Sequence, residues 1–200
     1  LGDAPLERLR AELPGLAELG VSAIWLSPLF ESPAGDYGYA VTDYFRVRRS
    51  LGSWEQLAAL IEAAHGLGLR VLLDFPANHT SAEHPYFVDA QRFGARSPYY
   101  GFYIRDAKGT ATHYFDWAHM PNLNFGEPAV ERFIREALLF WLRDAHADGF
   151  RFDAAWGIRE RNPGVWPRLS HQLRAARADV ALVAEGSARD RYYLGQGFDA

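Results

Sequence analysis

The sequence predicts a parallel α/β fold. Short apolar runs free of strong polar residues alternate with longer segments whose apolar residues recur at helical spacing, and nearly every apolar run ends on a polar side chain. Runs apolar throughout belong to strands covered on both faces, the situation of a parallel sheet flanked by helices. The 200 residues suffice for one sizeable core.

The elements follow in order. Leu6 to Leu19 carries Leu6, Leu9, Leu13, Leu16 and Leu19 at helical spacing and stops at Gly20, with Pro14 a point of kinking or restart. Val21 to Leu26 is a buried strand bounded by Pro28. Ser53 to His65 is a helix with Ser53 as N-cap, Gln56 completing a capping box and Gly66 ending it. Leu69 to Phe75 is a second buried strand. From Pro76 to Gly126 periodicity fades, and a loop of this length is expected to be functional or a subdomain. Pro128 opens a strong helix with the stripe Val130, Phe133, Ile134, Ala137, Leu138, Trp141. Phe150 to Asp153 is the third strand, Pro167 to Ala178 a helix, Val180 to Ala184 the fourth strand, and Phe198 the start of a fifth.

Doubly wound sheets and eightfold barrels both fit this order. The polar residues Ser27, Asp74, Asp153 and Glu185 at successive strand tips favour a barrel, whose sites are assembled from several tips. There is no Gly-rich dinucleotide fingerprint and no phosphate loop.

Composition narrows the partners. A formal net charge of −4 gives no reason to expect nucleic acid or an anionic membrane. No apolar run approaches the roughly 20 residues that span a bilayer. Without cysteine there is no disulfide, thiolate metal site or thiol nucleophile. No charged-then-apolar leader is visible; the compartment stays open, with the cytoplasm favoured. The chain starts at Leu1 and stops at Ala200 without a tail, so a piece of a longer polypeptide is expected.

The densest chemistry lies in Asp148-Gly149-Phe150-Arg151-Phe152-Asp153. On a strand Arg151 and Asp153 point the same way. A guanidinium so close is expected to lower the carboxyl pKa and keep Asp153 a bare anion, as a carboxylate nucleophile requires. Glu185 ends the next strand, and two such carboxyls suit glycoside cleavage. Asp74, Asn78 and His79 follow the second strand, and Asp36-Tyr37-Gly38-Tyr39 would offer aromatic faces to sugar rings. Each group taken singly also fits a structural role: an ion pair, a solvated strand end, a loop cap, a packed turn.

Together these segments resemble the alpha-amylase superfamily, glycoside hydrolase family 13. Asp74-x-x-x-Asn78-His79 is similar to its first signature region, Gly149-x-Arg151-x-Asp153 to its second, and Glu185 to its third. Met120-Pro121-Asn122-Leu123-Asn124 resembles a further region in the form closest to neopullulanase, cyclomaltodextrinase and oligo-1,6-glucosidase-like members. Gly38-Tyr39-x-x-x-Asp43-Tyr44 matches the segment after the second barrel strand.

The resemblance implies a partial (β/α)8 TIM barrel over residues 1–200, running from about the first helix to the fifth strand. A loop subdomain at 80–126 is inserted after the third barrel strand. It implies a retaining enzyme that hydrolyses or transfers α-1,4- or α-1,6-linked glucosyl units of an α-glucan, maltooligosaccharide or other α-glucoside. Asp153 would be nucleophile, Glu185 acid and base, and Arg151 the partner of Asp153. His79 would bond a sugar hydroxyl, Tyr39 would stack on that sugar, Asp74 would support the site, and Asp36 would grip a non-reducing end. The third acid of the family, an Asp after a His, is absent after Glu185, so the remainder of the barrel is expected outside this chain and the 200 residues alone are expected to be inactive. Asn124 stands where calcium-dependent members carry Asp, and Trp156-Gly157 replaces a Lys-His pair. No cofactor is therefore expected, calcium included, and Trp156 would be a platform for the leaving-side sugar. Two other readings stand beside this one: a binding or scaffold protein that lost the chemistry, and an unrelated α/β barrel hydrolase.

Overall fold

A computed structural model describes residues 5–187 and 191–200. Helix α1 (Pro5–Glu18) runs through Pro14 and is followed by strand β1 (Ala23–Leu26). A short antiparallel pair, β2 (Phe30–Glu31) and β3 (Asp43–Val47), precedes helix α2 (Trp54–Gly66) and strand β4 (Arg70–Pro76). Then come α3 (Pro85–Phe93), α4 (Pro128–Arg143), β5 (Gly149–Asp153), α5 (Ala155–Arg161), α6 (Val165–Ala176) and β6 (Ala181–Ala184). The strands β1, β4, β5 and β6 form one sheet in that order, all parallel. Successive parallel neighbours joined through helices are an arc of a (β/α) barrel.

The expected strands and long helices are present, shifted by a residue or two at their ends. The capping box exists: Ser53 Oγ accepts from Gln56 N at 3.3 Å and Gln56 Oε1 from Ser53 N at 2.8 Å. Pro128 opens α4 behind Glu127, whose carboxylate accepts from Ala129 N at 3.3 Å. The last helix starts at Val165 rather than Pro167, because proline is tolerated anywhere in a first turn whose N–H groups have no helical acceptor. No strand is formed at Phe198, but the chain there runs beside β6: Asp199 N donates to Leu182 O, and Ala184 N to Ala200 O, both at 2.8 Å.

Two features lie outside the expectation, the β2–β3 pair and α5, and the long segment between β4 and α4 carries structure of its own. The β2–β3 pair was not foreseen, because a two-residue strand carries no readable period. The stretch from Pro76 to Gly126 is not a bare loop. It holds α3, capped by His84 Nδ1, two 3-10 turns, and bridges such as Tyr103 to Leu123 and His113 to Pro121. Helix α5 follows β5 after one left-handed residue, Ala154, and its seven residues are too few to show a stripe.

The core lies between the sheet and its helices. Phe30, Tyr44, Phe75 and Trp141 pack ring to ring, centroids 5.1 to 5.8 Å apart, between β4 and α4. Trp141 Nε1 donates to Tyr44 O at 2.7 Å, which satisfies the one polar atom of a fully buried indole. Gly149 lets β5 approach β6: a Cβ there would lie 2.0 Å from Ala181 O. That approach is at the starts of the two strands, the end of the sheet opposite Asp153 and Glu185.

Candidate active site

The parallel register sets the strand tips side by side. Asp74 pairs with Arg151, Pro76 with Asp153, and Phe152 with Ala184, so Asp153 and Glu185 emerge at one level of the sheet and Asp74 lies level with Arg151, two residues below them. Arg151 sits between them. Its Nη1 lies 3.0 Å from Asp74 Oδ1 and 3.0 Å from Asp153 Oδ1, and its Nη2 lies 3.0 Å from Glu185 Oε1. The guanidinium also covers the ring of Trp25 on β1, its Cζ 5.0 Å from the centroid. Glu185 Oε2 accepts from Ala154 N at 2.6 Å, and Tyr39 Oη donates to Asp74 Oδ2 at 3.3 Å. The backbone of Ala154 is left-handed, φ 48°, which places its N–H towards Glu185 rather than along a helix. Strain of this kind gathers at sites.

One arginine against three carboxylates leaves an excess of negative charge, and this overturns the expectation that Asp153 is a low-pKa anion. Burial and the neighbouring charge of Glu185 raise its pKa from 3.8 to about 7, with Asp74 adding to them, and Arg151 offsets only part. Asp74, with no exposed surface, is also raised, first by burial. The sequence showed the arginine two residues away and the carboxylates at neighbouring strand tips; it did not show that one guanidinium is shared among all three.

A pocket of about 400 Å³ opens beside Asp153. Asp36, Tyr39 and His79 line it, as do Tyr114, Trp117 and His119 from residues 80–126. Asp36 Oδ1 accepts from Gly38 N at 2.7 Å and Ala40 N at 3.0 Å, so one oxygen holds the turn that presents Tyr39. His79 is buried and its ring is committed. Nε2 faces Tyr39 O at 3.1 Å, Nδ1 faces Asn78 Nδ2 at 3.2 Å, and Tyr114 stacks on the ring at 4.9 Å. Burial lowers its pKa from 6.5 to about 4, so the ring is neutral and has one proton to give. That proton goes to the Tyr39 carbonyl. His79 lines the pocket, and the expected bond to a sugar hydroxyl would require Nε2–H to exchange the Tyr39 carbonyl for the hydroxyl.

Trp156 lies on the other side of Glu185, in a groove shared with Arg159 and Glu160. Its ring is 5.7 Å from Phe115 and 6.0 Å from Tyr114, centroid to centroid. Tyr114, Phe115, Trp117 and His119 are the site residues that sequence reasoning missed. The only signal was the local density of aromatics within a segment lacking period. Asn124, at the position considered for calcium, spends its amide on closing a turn: Nδ2 donates to Gly101 O and Oδ1 accepts from Gly126 N, both at 3.0 Å. Among the described residues no three His, Asp or Glu side chains converge as a metal site.

An arc of parallel β/α units with an arginine-bridged carboxylate cluster at its strand tips defines the site half of a TIM-barrel protein. The family model "Alpha amylase, catalytic domain" matches residues 6–172, and the chain belongs to that family. It is 33% identical to the trehalose synthase of Thermus thermophilus over 88% of this chain and 20% of that protein. It is 32% identical to the alpha-amylase MalA of Haloarcula japonica over 92% of this chain and 27% of that protein. Among solved structures, a cyclomaltodextrinase superposes with a TM-score of 0.87 at 26% identity, covering 99% of this chain and 36% of the other. The chain thus spans between a fifth and two fifths of these relatives.

Proposed function

We propose that the complete protein containing this chain hydrolyses or transfers α-linked glucosyl units with retention of configuration. The observation that carries this is the single guanidinium of Arg151 holding Asp74, Asp153 and Glu185 at three adjacent strand tips beside an aromatic pocket. Retention needs two carboxyls flanking one glycosidic bond. Asp153 Oδ attacks the anomeric carbon as the bond to the leaving oxygen breaks, and Glu185 donates a proton to that oxygen. Glu185 then takes a proton from water or from an acceptor hydroxyl, which displaces Asp153 from the anomeric carbon. In the structure Glu185 Oε2 accepts from Ala154 N and Oε1 is ion-paired with Arg151, so proton donation requires it to release one of these partners.

Tyr39 and Asp36 lie in the pocket beside Asp153 and receive the sugar that is cleaved; Trp156 receives the sugar that leaves. The substrate class is α-glucan or maltooligosaccharide, in keeping with what the names of the relatives say of those proteins. The site works without calcium. The third acid comes from outside these 200 residues, and the four-stranded arc by itself turns over no glucoside.

The test is trapping of the complete protein with a fluorinated glucosyl donor and peptide mapping. A label on Asp153 is expected. A label elsewhere sinks the assignment, and turnover by residues 1–200 alone sinks the claim that the site is incomplete.

A further inference from the structure

Arg161, the last residue of α5, reaches away from its own helix to Asn78 in the loop after β4, where its Nη2 donates to Asn78 Oδ1. A guanidinium has donors and no acceptor, so the oxygen of that amide must face it and the nitrogen must face the other way. Asn78 Nδ2 accordingly points at Asn122 Oδ1 and at His79 Nδ1, 3.2 Å from each. The second contact decides the histidine. A donor aimed at Nδ1 requires that nitrogen to be bare, so the ring proton sits on Nε2 and is given to Tyr39 O at 3.1 Å. Asn122 is turned the same way, because its own Nδ2 donates to Thr112 Oγ1 at 3.3 Å.

Gly157 makes an independent case that this contact is built in. A Cβ on Gly157 would lie 2.7 Å from Asn78 Oδ1 and 3.3 Å from Arg161 Nη1. The helix turn below the contact thus carries no side chain where the amide and guanidinium meet.

We propose that Arg161 is a positioning residue for the pocket: through Asn78 it selects the Nε2–H tautomer of His79, and through His79 it anchors the backbone of Tyr39. The chain of donors runs Arg161, Asn78, His79, Tyr39 carbonyl, each link oriented by the one before it. It ties α5, directly behind the nucleophile strand, to the turn that presents Tyr39 across the pocket. Any effect on turnover rests on the proposed glycosidase reading; the tautomer does not.

The experiment is nitrogen NMR of the complete protein labelled with 15N-histidine, read beside kcat/KM on maltooligosaccharides. The wild type shows His79 as a single Nε2–H tautomer. Arg161→Met, which removes the donors, yields mixed tautomers and lowers kcat/KM by about tenfold, the scale seen when an orienting partner is lost. Arg161→Lys restores one donor, the single tautomer, and kcat/KM to within about threefold. Asn78→Asp places an acceptor on both sides, so the proton moves to Nδ1. An Nε2–H signal that persists in Arg161→Met overturns the proposal, whether or not activity falls. If Arg161→Met does not fold, Nε2–H in Asn78→Asp overturns it. A tautomer change in a protein without glycosidase turnover upholds the positioning role and sinks only the function.

Discussion

Arg151 Nη1 lies 3.0 Å from Asp153 Oδ1, yet Asp153 holds its proton up to about pH 7. The arginine is shared with Asp74 and Glu185, and the site is buried. For a nucleophile that must be ionised, kcat/KM of the complete protein rises with pH through an acid limb near 7. Glu185→Gln removes one of the charges that raise this pKa. A carbon NMR titration of Asp153 in that variant shows the midpoint moved to lower pH; an unmoved midpoint refutes the electrostatic account.

The same shift sets a stability trend. Between about pH 4 and 7 the folded chain keeps the Asp153 proton while the unfolded chain has lost it, so stability falls as pH rises through that window. Asp153→Asn removes the titration. We expect the variant to abolish turnover and to unfold at higher temperature than wild type at pH 8, with the gap closing near pH 4, as read by calorimetry.

Removing the shared cation should be costly. Arg151→Met leaves the buried Asp74 and Asp153, with the half-exposed Glu185 beside them, without this counter-charge, which destabilises by about 3 kcal/mol. The carboxylates can escape by taking up protons, so the loss measured by denaturant is larger at pH 8 than at pH 5. Arg151→Lys does not rescue, because one ammonium cannot offer a planar fork to three partners.

Gly149 controls how closely the start of β6 approaches the start of β5. Gly149→Ala places a methyl group 2.0 Å from Ala181 O, where backbone must move. The expected cost is at least about 2 kcal/mol in urea unfolding, with turnover falling as well. A variant of wild-type stability would show that the strands part easily.

On the leaving side, Trp156→Ala opens the groove that runs past Glu185. Losing one stacking face on the acceptor should raise KM for maltooligosaccharides about tenfold and shift products from transfer towards hydrolysis, read by chromatography of timed reactions. An unchanged product ratio would remove Trp156 from acceptor binding.

Much of the fold was legible because its signals are local. The apolar run Leu69 to Phe75, the capping box of Ser53 and Gln56, and the first-turn Pro128 each act within a few residues, and each element formed as expected. The site was legible in part for the same reason: Arg151 and Asp153 share a strand face by the two-residue period alone. The β2–β3 pair, α3 and α5 were not legible. Two-residue strands and seven-residue helices are held by what they pack against, and their sequences carry no period of their own.

Local patterns along the chain were enough to name the groups at the strand tips and the family to which the chain belongs. How those groups behave follows from the neighbours that folding brings to them. Folding set three carboxylates around one guanidinium, which turned Asp153 from an expected low-pKa anion into a group that titrates near neutrality. It closed His79 between Asn78 and Tyr39, which commits both ring nitrogens to protein partners. The reason is the same in both cases. A pKa or a tautomer depends on every charge and donor within a few ångströms, and beside the adjacent Arg151 and Asn78 these include Glu185 and Asp74 around Asp153 and Tyr39 against His79, which only the fold brings close.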